Sequence, residues 1–308
     1  MKYFPKVSII IPNYNHVRYL KQRIESILSQ DFQDFEIIIL DDYSLDDSRE
    51  LIATYSKHEK VKVCIFNSKN SGSTFKQWKK GISLAKGKYI WIAESDDYCD
   101  SSFLSSTIEI LENDHSVGLV YCQSDIVGEN NEYLFNERAW FDKLDGHRWV
   151  NSFKNNGLEH VFKYMTDFNT IPNASAVLFR RELIDLKDLP TDFKYSGDWF
   201  FWITLLSRTN LFYIAKPLNF FRSSSQSSRS NQTLGKKIKI IEERIKIINK
   251  LNSFKNETKL MKEKQGLLKQ YIDLVSWKDL IRSSFFLIEF IIKNPMSTIS
   301  QLNKKYLK

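Results

Sequence analysis

Apolar runs of five or six residues alternate with helix-type patterns through the first part of this sequence, and two of the runs end abruptly in carboxylates. Glu36 to Leu40 runs into Asp41-Asp42-Tyr43-Ser44, and Tyr89 to Ala93 runs into Glu94-Ser95-Asp96-Asp97. Successive βα units of this kind assemble into a mainly parallel sheet with helices on its faces. Open α/β sheets bind ligands outside the carboxyl ends of their strands, which is where both acidic clusters fall. Crowded carboxylates repel one another and are costly to keep ionised unless a cation or hydrogen-bond donors compensate them. A divalent metal holding a diphosphate would do so.

The apolar spacing predicts strands over 7–11, 36–40, 61–66, 89–93 and 117–122. Leu20, Ile24, Ile27 and Leu28 give the first helix its apolar face, as a 3.6-residue period requires. Further helices are expected near 47–56 and 74–85, the second stopped by Lys86-Gly87. Ser101 or Ser102 can cap another that runs to about Glu112. The stretch from Asp125 to Asn169 is polar and aromatic with no clean period, and reads as a long binding loop or lid. Order returns with a β-type run over 174–179, a short helix opening at Arg180-Arg181-Glu182, the apolar run 199–206 behind Ser196-Gly197-Asp198, and a strand over 211–214. Ser223 to Ser230 reads as a hinge. Ile238, Ile241, Ile245 and Ile248 then mark one amphipathic helix, and Trp277 to Ile292 marks a second.

Charge is distributed unevenly. The segment 233–308 holds 17 of the chain's 45 Lys and Arg but 7 of its 37 Asp and Glu, so the first 232 residues are close to neutral. Without a basic body or a recognised module, nucleic acid is not an expected partner. The basic extension suits an anionic membrane surface, with Ile281, Phe285, Ile288 and Ile292 on one face, or a helical hairpin that packs on the body or makes a homodimer contact. The three cysteines, Cys64, Cys99 and Cys122, are an odd number at wide spacing and read as reduced thiols of a cytoplasmic protein. No run is long and apolar enough to span a bilayer.

Taken singly, the polar motifs have ordinary readings. Pro12-Asn13-Tyr14-Asn15 follows the first expected strand and is either a turn or a place for a base to stack. Asp41 and Asp42 are either helix-capping residues or acceptors for a base imide or amino group. Glu94-Ser95-Asp96-Asp97 is either a capped turn or a set of hard oxygen donors for Mg²⁺ or Mn²⁺. Asp198 is either an N-cap or a general base.

In this order the pieces resemble family 2 glycosyltransferases, inverting enzymes of the GT-A fold. The resemblance rests on Val7 to Asn15, Asp41 to Asp46, Asn70-Ser71-Gly72, Gly81 through Ile90, Glu94 to Asp97 and Gly197-Asp198-Trp199, and it spans about three quarters of the chain. It implies an α/β GT-A catalytic domain over 1–232, with a nucleotide-binding half at 1–124 and an acceptor-binding half at 125–232, followed by a basic helical extension over 233–308. It also implies a nucleotide-diphosphate sugar donor, bound through Pro12, Tyr14, Asn15, Asp41, Asp42, Glu94 and Ser95. Mn²⁺ or Mg²⁺ would sit at Asp96 and Asp97, where the family has its DXD motif, and Asp198 would be the catalytic base. The acceptor would be a glycan or a lipid-linked hydroxyl, in polysaccharide assembly at the inner face of the cell membrane.

Three positions depart from the family pattern. Glu94 replaces the first DXD aspartate, Phe75-Lys76-Gln77-Trp78-Lys79 replaces an Ala-Arg-Asn stretch, and Ser224 stands where many relatives have a histidine. Two rival readings share the fold or its ligands: a non-catalytic nucleotide-sugar-binding assembly partner, and a sugar nucleotidyltransferase. Asp198 argues against the first. The absence of a Gly- and Arg/Lys-rich loop after the first strand argues against the second.

Overall fold

Strand β1, Val7–Asn13, is buried along its whole length, as a strand covered by helices on both faces must be. It lies in a computed structural model that describes residues 4–223, 233–255 and 258–274. The chain divides into two units, Met1–Ser227 and Ser228–Lys308.

The first unit opens with βα repeats: β1, α1 (Val17–Leu28), β2 (Phe35–Asp41), α2 (Ser48–Tyr55), β3 (Val61–Phe66), α3 (Thr74–Leu84) and β4 (Tyr89–Ile92). It continues through β5 (Tyr98–Cys99), α4 (Phe103–Asn113), β6 (Val117–Val127), β7 (Tyr133–Asn136), α5 (Arg138–Phe141), β8 (Phe153–Asn155), α6 (Gly157–Tyr164), β9 (Val177–Arg180), α7 (Gly197–Leu206) and β10 (Asn210–Arg222). The sheet runs β3-β2-β1-β4-β9-β6-β10-β5, with β7 on β6 and β8 on β10.

β1 pairs in parallel with both β2 and β4, so the strand order reverses there and a crevice opens at the carboxyl ends. One face of the sheet packs against Leu20, Ile24 and Ile27 of α1 and Phe103 and Leu104 of α4. On α3, a Cβ at Gly81 would sit 2.4 Å from Ile10 Cγ2. The bare backbone there is what allows α3 to lie close to β1.

Several expectations change. The run expected as a strand over 174–179 is a 3-10 turn, Ala174–Ala176, followed by β9, and the short helix expected at Arg180-Arg181-Glu182 is a 3-10 turn, Arg181–Leu183. The strand expected at 211–214 continues through Lys216-Pro217 to Arg222 because β10 pairs with β6 as far as Val127, and register shifts around Pro217 absorb the missing N–H. The segment 125–169 is no lid. It supplies the end of β6, then β7, β8, α5 and α6, and packs a buried Trp149 between Phe141 and Tyr164, with ring centroids 4.8 and 5.2 Å away. Trp149 Nε1 donates to the Tyr121 hydroxyl at 3.0 Å.

In the second unit, α8 (Leu234–Phe254) turns Ile241 and Ile245 toward Leu268, Tyr271 and Ile272 of α9 (Thr258–Leu274). The helix expected over Trp277 to Ile292 and the position of Ser224 lie outside the described residues. Among the described residues, no helix is long and apolar enough to cross a membrane. Cys64, Cys99 and Cys122 are all free thiols.

Candidate active site

Three groups of side chains meet the carboxyl edge of the sheet. At the first, register places Asn13 opposite Asp41. Asn13 Nδ2 donates to Asp41 Oδ2 at 3.0 Å and to Ser44 Oγ at 3.2 Å, while the Ser44 N–H and Arg49 Nε donate to Asp41 Oδ1 at 3.0 and 2.9 Å. Burial pushes the Asp41 carboxyl up, but the donors of Ser44, Arg49 and Asn13 together outweigh it and hold it below its ordinary value.

Asp42 is committed in the same way. Its Oδ1 accepts from Asn67 Nδ2 at 2.7 Å, the Ser71 N–H at 2.9 Å and Gln77 Nε2 at 2.9 Å, and its Oδ2 accepts from Ser71 Oγ at 2.7 Å. Both aspartates, expected to face a base, have carboxylates that protein donors engage and that brace the loops after β1, β2 and β3. The aromatic rings exposed at this edge are Tyr14, Tyr43 and Phe66, at 44%, 39% and 41%, beside an exposed Leu45. The Arg49 guanidinium lies 5.3 Å from the Tyr43 ring and 5.7 Å from the Phe66 ring.

Asn15 and Tyr43 hold left-handed backbone, with φ of 55° and 69°, a conformation that costs a non-glycine residue about 1 kcal/mol or more. Cross-bonding between their two loops sustains it: Leu45 N donates to Asn15 Oδ1 at 2.7 Å, and Asn15 N donates to Ser44 Oγ at 2.9 Å. Pro12 is buried just upstream.

The second group is the turn after β4. Glu94 Oε1 accepts from Trp78 Nε1 at 2.8 Å, and the Glu94 carbonyl accepts from Arg23 Nε at 2.9 Å. Ser95 is buried, with its hydroxyl 2.8 Å from His16 Nδ1. Asp97, expected at a metal, is instead a buried brace. Its Oδ2 accepts from Asn173 Nδ2 at 2.9 Å and Ser175 Oγ at 2.6 Å, and its Oδ1 accepts from the Arg222 N–H at 2.9 Å.

Asp96 differs from its neighbours. It is half-buried, and its carboxylate has no hydrogen-bond or ion-pair partner among the described residues. Burial first, then the charge of Asp96, pushes Glu94 up to about 8 against the pull of Trp78 and Arg23. Burial and the Asp96 charge also raise Asp97. Among the described residues no three His, Cys, Asp or Glu side chains group to cage a metal ion. One available carboxylate suits a hard cation that takes its remaining oxygens from a diphosphate and water.

The third group is Asp198, in the first turn of α7. Asn169 Nδ2 donates to its Oδ2 at 3.0 Å, and a carboxylate at a helix N-terminus is electrostatically favoured. Trp199 Nε1 donates to the Met165 carbonyl at 3.0 Å, which fixes the turn. A Cβ on Gly197 would meet the Phe75 ring at 2.6 Å, so α7 presses on α3.

Several of these residues escape sequence reasoning. Arg23 had a signal, since it falls within the apolar stripe of Leu20, Ile24 and Ile27 and is wholly buried. His16, Arg49, Asn173 and Ser175 reach the site through contacts across loops, which no local pattern records.

A family model described as Glycosyl transferase family 2 matches residues 8–184. An uncharacterized glycosyltransferase of Nostoc sp. is 28% identical over 189 residues, 61% of this chain and 54% of that protein. Glycosyltransferase GlyG of Streptococcus pneumoniae is 34% identical over 112 residues, 36% of this chain and 37% of that protein. The chain therefore spans about half or less of the length of such relatives. Among solved structures, S. aureus TarS 1–349 in complex with UDP-GlcNAc superposes with a TM-score of 0.64 at 15% identity, covering 96% of this chain and 89% of that one. The mannosyltransferase PcManGT from Pyrobaculum calidifontis, in complex with GDP-Man and Mn²⁺, gives 0.54 at 15% identity, covering 97% and 84%. At such identities the likeness bears on the fold, which is the mixed α/β GT-A arrangement with a helical C-terminal region.

Proposed function

This chain belongs to glycosyl transferase family 2, and on that premise we propose that it moves a sugar from a nucleotide-diphosphate donor to a hydroxyl of a glycan or lipid-linked acceptor, with inversion at the anomeric carbon. The observation that carries the reading is the division of labour in the turn after β4. Glu94 and Asp97 are claimed by protein donors, and Asp96 is not.

In this reading the base stacks on the aromatic edge formed by Tyr14, Tyr43 and Phe66, over loops that Asp41 and Asp42 hold in shape. Glu94 and Ser95 line the ribose. Asp96 would hold Mn²⁺ or Mg²⁺, which would supply charge stabilisation for a departing diphosphate. Asp198, kept in orientation by Asn169, accepts the proton of the acceptor hydroxyl as that oxygen forms its bond to the anomeric carbon. The bond from that carbon to the donor phosphate oxygen breaks on the opposite face, which inverts the centre.

Incubation of the chain with Mn²⁺, candidate acceptors and a panel of UDP- and GDP-sugars, with release of free nucleotide diphosphate as the readout, tests the reading. Metal-dependent release with an inverted product is expected. No release from any donor, while nucleotide diphosphates still bind, would favour a non-catalytic binding protein.

A further inference from the structure

Gln77 and Trp78 are neighbours on α3, yet they reach different acidic turns. Adjacent helical residues point about 100° apart, and here each direction ends on a carboxylate. Gln77 Nε2 donates to Asp42 Oδ1 at 2.9 Å and Ser71 Oγ at 3.1 Å. Trp78 Nε1 donates to Glu94 Oε1 at 2.8 Å, the one hydrogen bond to that carboxylate among the described residues.

The Trp78 ring has a second contact surface. It is 2% exposed, stands edge-on to Phe75 with centroids 5.0 Å apart, and lies 6.1 Å from both Phe201 and Trp202 of α7. Phe75 in turn lies against Gly197, the residue before Asp198. One rigid side chain thus touches both the donor-side carboxylate and the helix that carries Asp198. An indole N–H is a donor only, so the contact to Glu94 requires the ring edge that carries Nε1 to face that carboxylate, which leaves the remaining ring for Phe75, Phe201 and Trp202.

We propose that Trp78 is a positioning residue: its N–H sets the Glu94 carboxylate and its ring sets α7, so that the donor and Asp198 are held in register. This rests on the reading of Glu94 as donor-facing and Asp198 as the base. Misplacement of a reacting group by about 1 Å can cost 10²-fold in rate, and such a loss falls on turnover rather than on binding.

The test uses the full chain with the donor and acceptor found for the wild type. Trp78→Phe keeps a ring and deletes the N–H. Its kcat is expected to fall about 10- to 100-fold, with donor KM within about twofold. Combined with Glu94→Ala it should cost no more than Glu94→Ala alone, because groups acting through one contact are not additive. Phe75→Leu, which loosens the ring and touches neither acid, should give a smaller kcat loss at unchanged KM and serves if Trp78→Phe does not fold. Wild-type turnover in either folded variant, or full additivity with Glu94→Ala, overturns the inference alone. A wild-type chain that transfers no sugar overturns the functional reading and this inference with it.

Discussion

Asn13 and Asp41 face each other in register at the ends of two parallel strands, and the Asn13 amide donates to the Asp41 carboxylate at 3.0 Å. The bond joins the ends of β1 and β2, and it makes Asp41 the anchor of the loops that follow them.

Asp41→Asn should therefore lower stability. It removes the charge that pairs with Arg49 and turns an acceptor into a donor facing Asn13. A cost of about 1–3 kcal/mol at pH 7 is expected. Because the folded-state value is lowered, this stability is complete above the ordinary aspartate value and is lost as pH falls from there through the lowered folded-state value. Thermal unfolding of the wild type and variant should converge in acid, and a constant gap would refute the role.

Asp96 and Asp97 should part company on substitution. Asp96→Ala is expected to abolish Mn²⁺-dependent binding of nucleotide diphosphate in calorimetry while leaving the unfolding temperature nearly unchanged, as for a half-buried side chain whose carboxylate braces nothing. Asp97→Ala strands Asn173, Ser175 and the Arg222 N–H, and should cost about 1–3 kcal/mol of stability. Equal loss of metal-dependent binding in a fully folded Asp97→Ala would put Asp97 back at the cation.

Asp198→Asn is expected to eliminate sugar transfer by at least about 10²-fold while donor binding stays intact. The amide preserves shape and cannot take the proton. Measured turnover close to wild type would remove Asp198 from the chemistry.

Glu137 offers a readout of burial in the segment after β7. It is buried beside Ser124, and burial foremost pushes it up to about 8. Stability from the protonated form is complete below the ordinary glutamate value and is lost as pH rises through about 8. Glu137→Gln should raise stability near pH 8 by about 1–3 kcal/mol, measured by chemical denaturation, and have little effect at pH 4.

His160 should act with the opposite sign. Burial, then the charge of Arg148, lowers it to about 3, with its ring 2.9 Å from the Thr170 hydroxyl. The unfolded chain takes up the proton near the ordinary histidine value, so this stability is complete above that value and declines as pH falls toward about 3. The loss is about 1 kcal/mol per pH unit across that window. In unfolding midpoints taken between pH 7 and 4, His160→Gln should show a shallower decline than the wild type, and parallel slopes would count against it.

Much of the first half of the fold is legible in the sequence because βα units bury continuous apolar strands and give their helices one apolar stripe. Val61–Phe66 matches its expected bounds, and Val7–Asn13 and Phe35–Asp41 exceed theirs by one or two residues at an end. The segment 125–169 is not legible, because β7 and β8 are short edge strands whose residues make sense only against β6 and β10. The helix α9 is not legible for a related reason: its apolar positions are interrupted by lysines and Gly266, and packing against α8 organises them.

The sequence by itself determined which residues stand at the strand ends, since chain order and apolar period place Asp41, Asp42 and Glu94 to Asp97 where buried strands emerge. What each carboxylate does was decided by the tertiary structure. Asp97 and Asp96 are adjacent and chemically identical, yet one is enclosed by Asn173, Ser175 and Arg222 from distant parts of the chain and the other is left open. A carboxylate's role follows from which donors surround it and how much water it keeps, and those are set by contacts that sequence neighbours do not share.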